Sequence, residues 1–386
     1  MPLTLPYSFG TATTPDKLFF TQLQTDLVAL SAAGWNNTRL AKTGAYTITN
    51  SDKSNTIALG GSAFYELTVS AASGYDADFV CVIANEDATR AKAISINGHA
   101  SFYLWPLQSF MLFNQNNVWQ FDRPPRWKTL AGQTFNVNHA SGSNTVTTTD
   151  GLGTGAAAFA TVQNAIHVIN NQLDCNGFIP TIQVADATFT ENSVACLVAT
   201  VGATYINLFG NSGTPANVVW QISTAGLTIR DGGILVISGF RFVATASGMI
   251  GISVSQFGVV DLSNVEFGAF ASGFGIQSYQ LGSVNCGAGS YVVDGNCASH
   301  WLLQNGSVVV TTSTISLPNA LTFTSFMTAS QNGNFLIVGT TFSGTGAGAG
   351  STGKKYDVSI NATAALNGVT LPGATAGTTA TGGQVV

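Results

Sequence analysis

Seven carboxylates from residue 180 onward are the side chains with the clearest chemical potential. They are Asp186, Glu191, Asp231, Asp261, Glu266, Asp294 and Asp357. Hydrolysis of a glycosidic bond requires two carboxyl groups that face each other across the bond, about 5 to 9.5 Å apart. Elimination by a lyase requires a base instead, and this part of the chain has few. The bases are Arg230, Arg241, Lys354 and Lys355.

A repeat of glycines runs through the region that contains Asp261, Glu266 and Asp294. The intervals between successive glycines are 25, 24, 24 and 27 residues. The second and fourth residues after each glycine are apolar, as at Leu235 and Ile237, and the ninth is aromatic or aliphatic, as at Phe242. A repeat of this length indicates a solenoid. The glycines are Gly233, Gly258, Gly282, Gly306 and Gly333.

Strand geometry assigns a direction to each position of the repeat. Successive side chains point to opposite faces, so the second and fourth residues point inward and the third points outward. The fifth and sixth residues, such as Ser238 and Gly239, suit a corner. We predict that each segment is one coil of a parallel β-helix whose inward residues stack between coils. An antiparallel β-sandwich, which also has short strands and regular turns, is the alternative.

This arrangement separates the acids. Glu266 has the position that Arg241 occupies one coil earlier, so an ion pair is predicted. Asp261 points outward between Val236 and Asn285, without a second acid. The other acids also lack a partner: Asp231 precedes two glycines and suits a turn, and an expected corner separates Asp186 from Glu191. No catalytic residue is therefore assigned.

Other motifs that bind metals or phosphates are absent or incomplete. The residues of 348–354 match G-x-x-x-x-G-K, but Lys355 stands where Ser or Thr is required and no helix is expected to follow. The glycines of 151–155 are only a loose match to a dinucleotide loop. The histidines lack the spacing of metal ligands, so no cofactor or metal is predicted. They are His99, His139, His167 and His300.

Composition excludes several further classes. Only 8% of the residues are charged and the net charge is −5, so no basic surface for nucleic acid is expected. No apolar run approaches the roughly 18 to 20 residues of a membrane helix. The five cysteines are odd in number and form no C-x-x-C pair, which argues against a disulfide framework. The N-terminus has no secretory signal pattern, so synthesis in a cytoplasm is expected.

Composition and turn residues divide the chain into five predicted parts. A helix from Thr14-Pro15-Asp16 to about Ser31 either packs on its own domain or anchors the chain in a partner. An amphipathic helix over 156–173 is expected to shield the open end of the β-helix, and the tail is flexible or orders against partner chains. The parts are an arm with a helix (1–40), a small antiparallel β-sandwich (41–123), a linker (124–155), the capping helix with the parallel β-helix (156–360), and a Gly-, Thr- and Ala-rich tail (361–386).

The sequence after the second helix carries a resemblance to a known group of proteins. Residues 182–186 read Ile-Gln-Val-Ala-Asp, and Gly210-Asn211 follows one coil later. With these steps, residues 150–345 resemble the pectate-lyase-like right-handed parallel β-helices of phage and prophage tail spikes, tail fibres and head fibres. The resemblance implies a structural and adhesive virion protein, attached to phage structural proteins through its N-terminal region and released by lysis.

The resemblance also implies partners and an alternative activity. It implies a homotrimer that binds a host cell-surface polysaccharide, and outward Val236, Val309 and Leu336 are compatible with a subunit seam. The alternative is a depolymerase of the glycoside hydrolase type that cleaves capsule or lipopolysaccharide, which the scarcity of paired acids disfavours. A secreted adhesin is disfavoured by the missing signal.

Overall fold

The computed structural model describes residues 38–122, 124–287, 289–311 and 314–386. The structure is a right-handed parallel β-solenoid of about 12 turns, which confirms the predicted fold class. The chain divides into two compact units, the first ending at Pro124 and the second comprising Pro125–Val386. The predicted helix of the N-terminal arm lies outside the described residues.

The first unit contains two small sheets around one hydrophobic core. The sheet orders are β1-β3-β5-β8-β9 and β2-β4-β6-β7, and short 3-10 helices cover Asn50–Asp52 and Ala72–Gly74. Buried side chains from both sheets, including Leu67, Ile83 and Trp119, form the core. The strands are β1 (Arg39–Lys42), β2 (Tyr46–Thr47), β3 (Thr56–Leu59), β4 (Glu66–Val69), β5 (Val80–Asn85), β6 (Lys92–Ile96), β7 (Phe102–Leu104), β8 (Ser109–Gln115) and β9 (Val118–Phe121).

Strand direction in the first unit corrects the antiparallel β-sandwich predicted for residues 41–123. Strands β1, β3 and β5 pair in parallel, as do β2, β4 and β6. Among the described residues of this unit, antiparallel pairing is confined to β5–β8, β8–β9 and β6–β7. The prediction failed because short strands and turn residues look alike in the two arrangements, and only the β8–β9 hairpin had a local signal in Asn116 and Asn117.

The second unit is wound from strands that pair in parallel throughout. Its helix is α1 (Val162–Gln172), and 3-10 helices cover Gly155–Ala157, Pro215–Asn217 and Gly348–Gly350. The strands are β10 (Trp127–Lys128), β11 (Thr134–Val137), β12 (Leu173–Asp174), β13 (Thr181–Val184), β14 (Ala187–Thr190), β15 (Ala195–Cys196), β16 (Ile206–Phe209), β17 (Val218–Ile222), β18 (Leu227–Ile229), β19 (Ile234–Ala244), β20 (Ile250–Val254), β21 (Val259–Phe267), β22 (Phe270–Tyr279), β23 (Ser283–Cys286), β24 (Tyr291–Val293), β25 (Cys297–Gln304), β26 (Ser307–Val310), β27 (Thr314–Ser316), β28 (Thr322–Ser330), β29 (Asn334–Ile337), β30 (Thr341–Ser343), β31 (Thr352–Val358), β32 (Thr363–Ala365), β33 (Thr378–Thr379) and β34 (Gln384–Val385).

Two large sheets stack the coils of this unit. The main path of a 15-stranded sheet runs β11-β13-β16-β19-β21-β23-β26-β29-β32-β34, and β14, β17, β24, β27 and β30 belong to the same sheet. An 8-stranded sheet runs β15-β18-β20-β22-β25-β28-β31-β33. Each full coil therefore contributes a strand to both sheets, and its side chains alternate between the interior and the outer surface.

The predicted inward columns are confirmed by the register. The second residue after each repeat glycine pairs with its counterpart in the next coil, and all five of these side chains are fully buried. The sixth residue lies at the predicted corner, where Gly239 and Asn264 have left-handed φ angles of 82° and 48°. The stacked second-place residues are Leu235, Val260, Val284, Val308 and Phe335.

The ninth column differs from the predicted alignment at one step. Phe242 pairs with Phe267 as predicted, but Tyr291 pairs with Val265 and not with Phe267. Additional residues in the corner after β23 shift the register by two. Because the side-chain period of a strand is two, this shift leaves Tyr291 facing inward. The Phe267 and Tyr291 rings still pack, with centroids 5.7 Å apart.

The repeat glycines are required by the close approach of neighbouring coils. A Cβ atom added to any of the five would stand within 3.0 Å of an atom of the preceding coil. At Gly258 the nearest atom is Ile229 O, and at Gly282 it is Val254 O. The glycine spacing therefore marks where one coil passes over the end of a strand in the coil before it.

The ends of the predicted β-helix also need correction. The expected linker, 124–155, contains β10 and β11, which pair with β12 and β13. The expected tail, 361–386, contains β32, β33 and β34, which continue both sheets within the same chain. Both segments are rich in Gly, Thr, Ser and Asn, and they are ordered by the backbone ladder of the adjacent coil and not by side-chain propensity.

The capping helix is shorter than predicted. The predicted range was 156–173, whereas α1 begins at Val162 because the Thr161 side chain accepts a hydrogen bond from the Asn164 N–H and forms the N-cap. The buried face of α1 includes Val162, Ile166 and Ile169. This face packs against the first strands of the second unit, β11, β12, β13 and β15.

Replacement of a repeat glycine tests the close approach of coils. Gly282→Ala should lower the free energy of unfolding by about 1 to 3 kcal/mol, because the added methyl group meets backbone atoms that cannot rotate away. Gly287→Ala is the matched control, since no atom lies within 4 Å of a Cβ at that position. Urea unfolding followed by circular dichroism measures both; equal stabilities would contradict the explanation.

Candidate functional site

Three charged side chains meet on the outer surface of the second unit. Arg241 of β19 pairs in register with Glu266 of β21, and its Nη1 donates a hydrogen bond to Glu266 Oε1. The same guanidinium places Nη2 2.8 Å from Asp294 Oδ2. The Arg241–Glu266 ion pair predicted from the repeat is therefore present, and a second carboxylate joins it.

Asp294 was not expected at this position. It follows β24, and the register shift at the corner after β23 places its backbone beside Phe267, whose carbonyl accepts the Asp294 N–H at 2.9 Å. A Cβ at Gly268 would lie 2.9 Å from Val243 Cγ2, so glycine allows the close approach of the two coils beside Arg241. The shift depends on the length of one corner, so the sequence alignment gave no signal for the pairing.

The electrostatic environment of the two acids differs. Burial raises the pKa of Glu266 above its usual range, Arg241 opposes this, and the Asp294 carboxylate adds to the increase. Asp294 Oδ1 is buried and has no hydrogen-bond partner among the described residues. A carboxyl group with a raised pKa beside a second carboxylate is an arrangement that supports general acid and base chemistry. Here, however, both acids also bind one arginine, which is a structural role.

The other carboxylates of the β-helix are paired with groups other than acids. The Asn285 amide donates a hydrogen bond of 2.6 Å to Asp261 Oδ1, as its place in the outward column suggested. Asp231 lies 3.4 Å from Arg230, and Asp357 lies 3.3 Å from Lys354. Asp261 is therefore hydrogen-bonded between coils, whereas Asp231 and Asp357 pair with basic residues near them in the sequence.

Asp186 lies at an open cleft on the first coils of the second unit. The cleft has a volume of about 420 Å³. Its lining includes Asn136 from β11, Gln183 from β13, and Asp186 and Asn211 from the turns that follow β13 and β16. Amide donors hold the Asp186 carboxylate: Asn211 Nδ2 lies 3.0 Å from Oδ2, and Asn217 Nδ2 lies 3.1 Å from the same oxygen. This cleft could not be predicted from the sequence, because its walls come from separate coils.

Glu191 anchors the capping helix. Its two carboxylate oxygens accept the backbone N–H groups of Val162 and Gln163 at 2.9 and 2.7 Å. The first turn of α1 has no acidic residue of its own, so Glu191 supplies the negative charge that the N-terminus of a helix favours. His139 Nε2 lies 2.9 Å from Glu191 Oε2, and its ring stacks on Phe189. Glu191 and Asp186 thus have separate roles.

A histidine is enclosed in the aromatic interior of the β-helix. His300 is buried, its Nε2 lies 2.7 Å from the Tyr291 hydroxyl, and Trp301 and Phe326 pack around it. Burial lowers the pKa of His300 to about 3. This histidine is therefore neutral in the folded protein at ordinary pH, and it is a packing residue.

The remaining candidate groups are placed as follows. All five cysteines are free and buried, and burial raises the pKa of the Cys286 and Cys297 thiols to about 12. Within the described part of the chain, no group of three His, Cys, Asp or Glu side chains converges as a metal site would require. After residues 348–354 the chain continues as strand β31 and not as a helix. None of the described helices is long and apolar enough to cross a membrane.

Comparison with protein-family models, with curated proteins and with solved structures finds no match for this chain. The function of the protein is therefore inferred from its fold and from the placement of its side chains. The described residues offer two candidate sites on the outer surface, the Arg241–Glu266–Asp294 cluster and the Asp186 cleft. Only the second is a cavity.

Removal of the Glu191 carboxylate should loosen the capping helix. Glu191→Ala should cost roughly 2 kcal/mol of stability, because two charge-assisted hydrogen bonds to the start of α1 are lost. Hydrogen exchange at the Val162 and Gln163 amides should accelerate more than exchange within β26. Unchanged protection of these two amides would contradict the anchoring role.

The buried histidine predicts acid sensitivity. The folded pKa of His300 is about 3 against an ordinary value of 6.5, so between these pH values the unfolded chain binds more protons and stability falls as the pH is lowered. This group should remove on the order of 4 kcal/mol across that window. Urea unfolding of His300→Gln at several pH values should give a flatter profile, while His167→Gln, on the exposed face of α1, should retain the wild-type slope.

Proposed function

We propose that this chain is a structural and adhesive fibre or spike protein of a bacteriophage or phage-like particle. In this proposal the N-terminal region binds phage structural proteins and the β-helix binds a host cell-surface polysaccharide. The protein is then a virion component of a tail or head appendage, made in the host cytoplasm and released by lysis. The cleft at Asp186 and the outer faces of the coils are the surfaces available for adhesion.

The observation that carries the proposal is the stack of ten parallel strands from β11 to β34, whose outward side chains are mostly uncharged. Uncharged groups pair between coils on both sheets: Ser307 Oγ lies 3.2 Å from Ser283 Oγ on this stack, and Gln277 Nε2 lies 3.3 Å from Gln304 Oε1 on the 8-stranded sheet. Such a surface presents many hydrogen-bonding groups at a regular spacing on a rigid support, which suits a repeating polyhydroxyl ligand.

Assembly as a homotrimer is part of the proposal. Val236, Val309 and Leu336 are half-buried on the outward column of the main sheet, and Asp261 and Asn285 stand between them in register. Subunit association would cover these apolar side chains. The Asp261 carboxylate would then be buried with a hydrogen-bond partner, the Asn285 amide.

A depolymerase is the second candidate, and one observation favours it. Glu266 and Asp294 share Arg241, and the Glu266 pKa is raised by burial and by the neighbouring acid. Glycosidases use two carboxyl groups of which one remains protonated. The scaffold function is preferred because the arginine holds both acids in an ion-pair network on an outer sheet face.

Binding to cells and solution mass test the first proposal. The purified full chain, labelled with a fluorophore, should bind a subset of bacterial strains, and periodate oxidation of their surface sugars should abolish binding. Its mass in solution should be about three times 39.9 kDa. Binding that survives periodate would contradict a glycan receptor, and a stable monomer would contradict the trimer.

A reducing-end assay on purified capsule and lipopolysaccharide separates scaffold from enzyme. We expect no release of oligosaccharides by the wild-type protein. Release that both Glu266→Gln and Asp294→Asn abolish, and that the control Asp261→Asn leaves unchanged, would establish the depolymerase instead.

A further inference from the structure

We infer that the cleft at Asp186 is a binding site for an uncharged glycan segment. The inference rests on the proposed adhesive function and names the ligand class and its location. The cleft has a volume of about 420 Å³, which is within the range of ordinary small-ligand sites. It is open to solvent on the outer face of the first coils, so a chain of sugars can enter it from the side.

The cleft is built from three successive levels of the stack. Asn136 on β11 pairs in register with Gln183 on β13, and Asn211 follows β16, the next strand of the same sheet. Thr154 and Gly155 also line the cleft. Asn136 and Gln183 thus stand one strand spacing apart, about 4.8 Å, while in the next coil Gln183 pairs with Phe209 and Asn211 lies two residues beyond that pair.

The hydrogen bonds already made within the protein determine what remains for a ligand. Asn136 Nδ2 donates to Leu152 O at 3.3 Å, and Gln183 Nε2 donates to Gly210 O at 3.0 Å. The side-chain oxygens of these two amides have no donor among the described residues. The Asp186 carboxylate can accept about four hydrogen bonds and already accepts from the Asn211 and Asn217 amides. Its remaining capacity and the two amide oxygens offer acceptors to a ligand that donates.

The charge of the cleft excludes acidic ligands. Asp186 is the one ionisable side chain among the described residues that line it, and the side chains that donate to it within the described residues are the neutral amides of Asn211 and Asn217. An anionic sugar would meet an uncompensated negative charge in a site without a basic side chain. Hydroxyl groups of neutral sugars supply the donors that the acceptors require.

The cleft is distinct from the Arg241–Glu266–Asp294 cluster in both position and chemistry. The cluster contains a base that neutralises its acids, whereas the cleft has a carboxylate held only by amides. Asp186 is exposed and its geometry is fixed by the Asn211 and Asn217 amides, so it is oriented before a ligand arrives. Such preorganisation lowers the entropic cost of binding.

Glycan binding by variants of the full chain tests the inference. The probes are an array of neutral hexose and N-acetylhexosamine oligomers, with oligogalacturonate and heparin fragments as acidic counterparts. The wild-type protein should bind neutral oligomers and not the acidic ones. Asp186→Ala should weaken this binding at least tenfold, whereas Asp357→Ala, which removes a carboxylate paired with Lys354, should leave it unchanged.

A second variant keeps the test valid if loss of Asp186 disturbs folding. Ser212 is exposed at the rim of the cleft, so Ser212→Trp should obstruct the cavity and abolish binding while the circular dichroism spectrum stays unchanged. Neutral-glycan binding that both variants retain, or wild-type binding restricted to acidic glycans, would overturn the inference and leave the adhesive function standing. Failure of the wild-type protein to bind any glycan or cell would overturn both.

Discussion

The parallel stacking of one coil on the next, in register, is the constraint on which the second unit depends. Each strand satisfies its backbone groups on the coils before and after it, and the same register places Leu235, Val260 and Val284 in one buried column. Where a corner passes over a strand end, glycine is required, as at Gly282. A change in the backbone or packing of one coil therefore alters the contacts of the coils next to it.

The same register organises the polar surface. An outward side chain has its nearest neighbour one coil away, so the few charges of this chain find partners across coils: Arg241 with Glu266, and Asp261 with Asn285. In the first coils, stacking does not bring an opposite charge to Asp186. Its carboxylate is instead held by neutral amides and lines a cavity. Stacking thus produces both a neutralised face and an acceptor-rich cleft.

Features that the repeat itself specifies could be predicted from the sequence, whereas features that depend on contacts between distant segments could not. The inward columns and the Arg241–Glu266 pair were predictable because the repeat sets them directly. The direction of strands in the first unit was not, since turns and short strands look alike in parallel and antiparallel sheets. The position of Asp294 beside Arg241 was not predictable either. A shift of two residues at one corner keeps every inward side chain facing inward, so it does not change the hydrophobic pattern of the sequence.

The sequence by itself determined the solenoid, since a glycine at each coil and alternating apolar residues admit few other folds. Tertiary structure alone decided where the solenoid begins and ends, because segments such as 361–386 are ordered by the ladder of the coil beside them and not by their own composition. It also decided which acids meet. Contacts between coils join residues about 25 apart, and their identity depends on corner lengths that no local pattern records.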